Sequence, residues 1–131
     1  MKNNLDIAKR YLATLEQMGD CNALAEFFSP DVIQIEFPNR LVPAGAKRDL
    51  AAILVGCERG KNVLSEQRYE IKNAVVNQHV VVMEVLWTGK LAVAIGTLPE
   101  GDEMKAHFAV FLEFAEGKIV AQRNYDCFEA W

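Results

Sequence analysis

The sequence predicts an α+β domain in which helices lie on one side of an antiparallel sheet. Three observations lead to it. Apolar residues of the first half recur at helical spacing, those of the second half alternate between hairpin turns, and the two patterns never interleave as βαβ units.

Leu5, Ala8, Leu12 and Leu15 form the stripe of a first helix, widened by Tyr11 and Met18, with Gly19 as its stop. Asp20 is an N-cap for a short second helix that buries Leu24, Phe27 and Phe28, and Ser29-Pro30-Asp31 breaks it. Val32 to Phe37 then alternates as a first strand, with Ile33, Ile35 and Phe37 on one face and Gln34 and Glu36 on the other. After the turn-rich Pro38-Asn39 and Pro43-Ala44-Gly45, residues Leu50, Ile53, Leu54 and Cys57 mark a third helix, which Gly60 should end. Strands follow: Gln67 to Val76 and Val80 to Thr88 around Asn77-Gln78, then Leu91 to Leu98 as a further extension. Met104 to Ala115 and Lys118 to Asp126 flank a tight turn at Glu116-Gly117.

A chain of 131 residues fits one domain, 1–131, and with 51% hydrophobic residues it can bury a core without staples. The formal charge of −4 argues against nucleic-acid and anionic-membrane partners, which need clustered Lys and Arg. Cys21, Cys57 and Cys127 are odd in number and form neither a CxxC pair nor a disulfide framework, and two histidines give little support for zinc. The opening Met-Lys-Asn-Asn-Leu-Asp is unlike a leader peptide, no apolar run approaches a membrane span, and the cytoplasm is the expected location. With no GxGxxG, P-loop or metal motif, no cofactor is expected.

The last hairpin concentrates the chemistry. A turn at Glu116-Gly117 with unshifted register places His107 opposite Asp126, with Cβ atoms about 4.5–5.5 Å apart. Asn124 and Gln122 fall on the same face. Imidazole and carboxylate in that relation suit proton transfer, although a structural cross-strand pair would look the same in sequence, and one residue of slip would separate them. His79, beside a turn, is expected to be solvated. Glu36 is a second acid that a pocket could use, although exposure on an edge strand is the commoner state, and Arg48 either pairs with it or merely begins the third helix. Tyr11 is placed to pack its ring and extend its hydroxyl, and Phe28 and Trp87 are candidate apolar walls, each also explicable as core.

Phe-Ser-Pro-Asp-Val at 28–32, Glu-Phe-Pro-Asn at 36–39, Ala-His-Phe-Ala at 106–109 and, most specifically, Gly-Lys-Ile-Val-Ala-Gln-Arg-Asn-Tyr-Asp at 117–126 resemble SnoaL-like proteins of the nuclear transport factor 2-like superfamily. The resemblance covers almost the whole chain. It implies a curved sheet forming a cone around a pocket closed by helices, often in a homodimer joined through the outer face of the sheet. It also implies an acid/base role for a late aspartate, here Asp126, with His107 beside it. The expectation that follows is a cofactor-independent isomerase, cyclase or dehydratase acting on a small hydrophobic carbonyl compound. Asp126 and His107 would be catalytic, and Tyr11, Phe28, Glu36, Trp87 and Asn124 would bind substrate. A non-catalytic dimeric binding or association domain is the alternative, because the fold alone does not deliver function.

Overall fold

The computed structural model describes residues 3–131, so the Met1-Lys2 start of the segment read for a leader lies outside it. Helix α1 spans Asn4–Gln17 and begins where the Asn3 side chain accepts the Asp6 backbone N–H at 2.8 Å. Its buried stripe is Ile7, Ala8, Tyr11 and Leu12. It ends one residue earlier than the glycine suggested: Met18 itself takes the left-handed conformation (φ 50°) and returns its N–H to Leu15. A 3-10 helix covers Cys21–Phe27, capped by Asp20. Helix α2, Leu50–Val63, is capped by Asp49 and runs through Gly60, three residues past the expected end.

The strands are β1 (Phe28–Glu36), β2 (Ala46–Arg48), β3 (Leu64–Asn77), β4 (Val80–Leu91), β5 (Glu103–Ala115) and β6 (Lys118–Phe128). They form one curved, open sheet in the order β2-β1-β6-β5-β4-β3. The sheet is mixed rather than purely antiparallel, because β1 joins β6 in parallel. Helix α1 packs on β3 and β4, and α2 packs on β1, β3 and the 3-10 helix, so all three helices cover the concave face. The resulting α+β cone has its main core between α1 and the inward residues Val81, Met83, Val85, Val110, Leu112 and Ile119.

Two turns carry the last four strands. Glu116 (φ 51°) and Gly117 (φ 75°) give the doubly positive turn expected of a two-residue hairpin. At the other hairpin the turn residues are Gln78 and His79, one step later than anticipated, and His79 is exposed. Residues 92–102 do not extend the sheet. Gly96 (φ 56°) reverses the chain there, and a Cβ on it would stand 2.9 Å from the Trp131 indole nitrogen. A second cluster built on Trp87, Leu91, Met104 and Ala106 fills this end, with Phe108, Phe128 and Trp131 packed against it.

The absence of a disulfide expected from cysteine spacing is corrected. Cys21 and Cys57 are bonded, with Cα atoms 6.0 Å apart, and tie the 3-10 helix to α2 across 36 residues of sequence. Cys127 is free and exposed. Among the described residues, no helix is long and apolar enough to cross a membrane.

Candidate active site

A cavity of about 260 Å³ opens between the helices and the concave face. Leu12, Leu15, Leu24 and Ile53 from the helices and Tyr69, Phe108 and Val110 from the sheet supply much of its wall. Polar groups gather on one side, where β1 and β6 run in parallel with Gln34 beside Gln122 and Glu36 beside Asn124. The polar face of β1 is therefore the inward one, and Ile33, Ile35 and Phe37 point outward. Arg48 makes this possible from β2. Its guanidinium reaches Glu36 Oε1 at 2.9 Å and Gln34 Oε1 at 3.2 Å, and Asn39 donates to Glu36 Oε2 at 2.8 Å. Gly45 lets the β1–β2 connection cross this point, since a Cβ there would lie 2.7 Å from the Glu36 carbonyl oxygen.

The register of β5 and β6 decides which residues of the last hairpin face inward. Ala115 pairs with Lys118 and Phe114 with Ile119, as the turn requires, but Glu113 then pairs with Ala121. Val120 is an extra residue, a β-bulge that shifts every later pair by one. Gln122 lies opposite Leu112, Asn124 opposite Val110 and Asp126 opposite Phe108, so these three polar residues stay on the cavity side. The expected His107–Asp126 pair does not form. His107 lies opposite Cys127 on the outer face, where its Nε2 meets Glu129 Oε2 at 2.9 Å. Its side chain is 63% exposed, so it reaches neither Asp126 nor the cavity.

Asp126 has the most perturbed carboxyl of the site. Burial raises its pKa, the Glu36 carboxylate raises it further and Arg48 lowers it, leaving it at about 7. Among the described residues, its Oδ1 is the buried side-chain atom with no hydrogen-bond partner. Three of its surroundings are cavity walls: Arg48, Asn124 two residues before it on the same face, and Phe108 across the ladder.

A directed hydrogen-bond chain approaches from the helix side. The Tyr11 hydroxyl donates to Gln122 Oε1 at 3.1 Å, and Gln122 Nε2 donates to Asn124 Oδ1 at 3.0 Å. With its oxygen accepting from Gln122, Asn124 keeps its amide N–H groups as donors on the cavity wall. Burial pushes the Tyr11 phenol up to about 12, partly opposed by its bond to Gln122, so it remains protonated.

The two apolar wall candidates lie behind the surface of the cavity. Phe28 is buried with its ring edge-on to Tyr11 at 5.5 Å. Trp87 stacks on Phe108 at 5.5 Å and donates from Nε1 to Gln67 Oε1 at 3.1 Å. Both support residues that do line it. Sequence reasoning missed Tyr69, Gln67, Phe108 and Val110. The inward alternation of Phe108 and Val110 with Met104, Ala106 and Leu112 was a signal available for two of them. Among the described residues, no group of three His, Cys, Asp or Glu gathers to hold a metal ion.

The SnoaL-like domain family matches residues 8–122, most of the chain and all the elements that build the cavity up to Gln122. The chain belongs to that family. No curated protein matches it by sequence. Among solved structures, this SnoaL-like chain is similar to a candidate SnoaL-like polyketide cyclase from Shewanella putrefaciens, with a TM-score of 0.80 and 17% identity over 96% of this chain and 90% of that one. IdmH, a candidate polyketide cyclase from Streptomyces antibioticus, has a TM-score of 0.79 and 17% identity over 95% and 92% of the two chains. A protein with a ketosteroid isomerase-like fold from Catenulispora acidiphila has a TM-score of 0.73 and 18% identity over 91% and 83%. At these identities the shared property is the fold.

Proposed function

We propose that this SnoaL-like domain is a cofactor-independent enzyme that moves a proton at the carbon next to the carbonyl of a small, largely apolar compound, with Asp126 as the acid/base. The observation that carries the reading is the orphaned, buried Asp126 oxygen, on a carboxyl that titrates near neutrality beside an ion-paired Glu36. The two acids divide the work: Glu36 is held in place by its ion pair with Arg48 and its bond from Asn39, and Asp126 exchanges the proton. Asn124, fed by Gln122 and Tyr11, positions a ligand oxygen. Phe28 and Trp87 hold the walls rather than touch the ligand. His107 has no part in the step. Isomerisation, aldol-type cyclisation and dehydration all begin with this proton transfer, and the candidate cyclases among the structural neighbours favour that group of reactions.

The test is solvent-deuterium exchange at C1 of 2-tetralone, followed by proton NMR. The enzyme reading expects exchange above the buffer rate that rises with pH through about 7. Exchange no faster than buffer, with 2-tetralone bound, rejects it and leaves the binding-protein alternative.

The reading also takes the protein to be a homodimer joined through the outer face of the sheet. Support for the dimer comes from Ile33 and Tyr125, 39% and 41% exposed, and from the Phe37–Tyr125 stack at 4.5 Å that Phe111 extends. Tyr125→Asp is expected to halve the mass measured by light scattering. A monomeric wild-type protein at the same concentration would reject the dimer.

A further inference from the structure

Tyr69 belongs to the cavity wall but lies outside the hydrogen-bond chain that runs from Tyr11 through Gln122 to Asn124. It stands on the inward face of β3, opposite Trp87 and tilted against Phe108 at 6.4 Å between ring centroids. Helix α1 fixes it from the open edge of the sheet. Glu16 Oε2 accepts the Tyr69 backbone N–H at 2.8 Å, and Gln67 Nε2, two residues earlier, donates to the Leu15 carbonyl at 2.9 Å. The Trp87 indole N–H donates to Gln67, and among the described residues no side chain or carbonyl accepts from the Tyr69 hydroxyl. Tyr69 therefore keeps its own proton for a ligand in the cavity. Burial raises this phenol far above its ordinary pKa, and the neighbouring Tyr11, Asp126 and Glu16 add to the rise, so it is a neutral donor throughout the working range.

We propose that Tyr69 is a second catalytic residue, donating a hydrogen bond to the oxygen on which negative charge develops, and that the ligand is a planar, enolisable ring ketone of one or two rings. The inference rests on the proton-transfer reading of this cavity. In the step, the Asp126 carboxylate takes the proton from the carbon next to the carbonyl. The C–H electron pair becomes the new C=C bond, and the carbonyl π pair moves onto oxygen. Tyr69 and the Asn124 amide hold that oxygen by hydrogen bonds without giving up a proton, and Asp126 later returns a proton to carbon. Donors fixed before the charge appears need not reorganise, and removing one costs about 10²–10³ in turnover. The ring limit follows from space. A cavity of about 260 Å³ falls below the roughly 300–1,000 Å³ of sites that engulf drug-sized ligands, and its Phe108 and Tyr69 rings suit a flat face.

The experiment pairs Tyr69→Phe with two probes, 2-naphthol, the aromatic analogue of the 2-tetralone enol, and naphthalene, which has the rings without the oxygen. Calorimetry is expected to show 2-naphthol binding about tenfold weaker in Tyr69→Phe, with naphthalene changed less than twofold. Deuterium exchange into 2-tetralone is expected to lose about 100-fold in kcat, with KM within threefold. Equal loss for both probes would make Tyr69 a packing residue and overturn the assignment, as would 2-naphthol failing to bind the wild-type protein. If Asp126→Asn abolishes exchange while Tyr69→Phe keeps the full rate, this inference alone fails. If Asp126→Asn keeps the full rate, the underlying reading fails with it.

Discussion

Asp126→Asn is expected to abolish proton exchange and stabilise the protein at the same time. The amide cannot accept the substrate proton as a base, and a positioned acid/base contributes about 10²–10⁴ in rate, so exchange should fall by that factor. The stability effect has the opposite sign and a definite pH window. Asp126 has a folded pKa of about 7 against an ordinary value of 3.8, so the folded state binds the proton more tightly than the unfolded chain does. The stability it contributes is fully present below about pH 4 and is lost as the pH rises through 7. The full shift corresponds to a ceiling of about 4 kcal/mol, and solvent reaching the partly exposed carboxyl reduces it. At pH 8 the variant should therefore melt higher than the parent by about 3–10 °C, and at pH 4 the two should coincide. Thermal unfolding by circular dichroism at both values checks this. Equal melting temperatures at pH 8 would mean that the carboxylate is solvated in the folded protein.

Replacing Cys21 and Cys57 together by serine is expected to give the largest loss of stability. The bond closes a loop across 36 residues of sequence, and constraining such a loop in the unfolded chain contributes roughly 2–4 kcal/mol. The melting temperature should drop by on the order of 10 °C. Because Cys57 lies on the cavity wall and Cys21 begins the 3-10 helix, the loss should be accompanied by weaker 2-tetralone binding. Thiol titration of the unreduced parent should find Cys127 alone, and all three cysteines after denaturation with a reductant. Three reactive thiols in the unreduced, denatured parent would show that the two helices are held by packing only. A reducing compartment would impose the same loosening on the native chain.

The α+β order of elements was legible in the sequence because its signals are local, whereas the cone came with the family resemblance. Helix stripes, the Glu116-Gly117 turn and alternation along β4 and β5 depend on neighbours a few residues away. The site was less legible because it depends on register. Along β5 the even positions Met104, Ala106, Phe108, Val110, Leu112 and Phe114 are all apolar, which assigns His107 to the charged face with Lys105 and Glu103. That reading conflicts with an unshifted pairing to Asp126, and the Val120 bulge resolves the conflict. The polarity of β1 was read correctly as an alternation, but which face turned inward depended on Arg48 and on the parallel partner β6, neither of which is local. The Cys21–Cys57 bond was invisible for the same reason, since no spacing rule joins two helices that meet only after the sheet has curved.

The bulge at Val120 also bears on how such a strand can change over generations. Substitutions at Ala121 or Arg123 alter the outer surface and leave the cavity lining in place. A one-codon deletion between the hairpin turn and Gln122 would be absorbed by loss of the bulge, and Gln122, Asn124 and Asp126 would still lie opposite Leu112, Val110 and Phe108. A one-codon deletion at Arg123 would instead turn Asn124 and Asp126 to the outer face and Tyr125 to the cavity. The strand can thus lose one codon ahead of Gln122 without moving the site, whereas a codon lost beyond it exchanges cavity lining and outer surface in a single event.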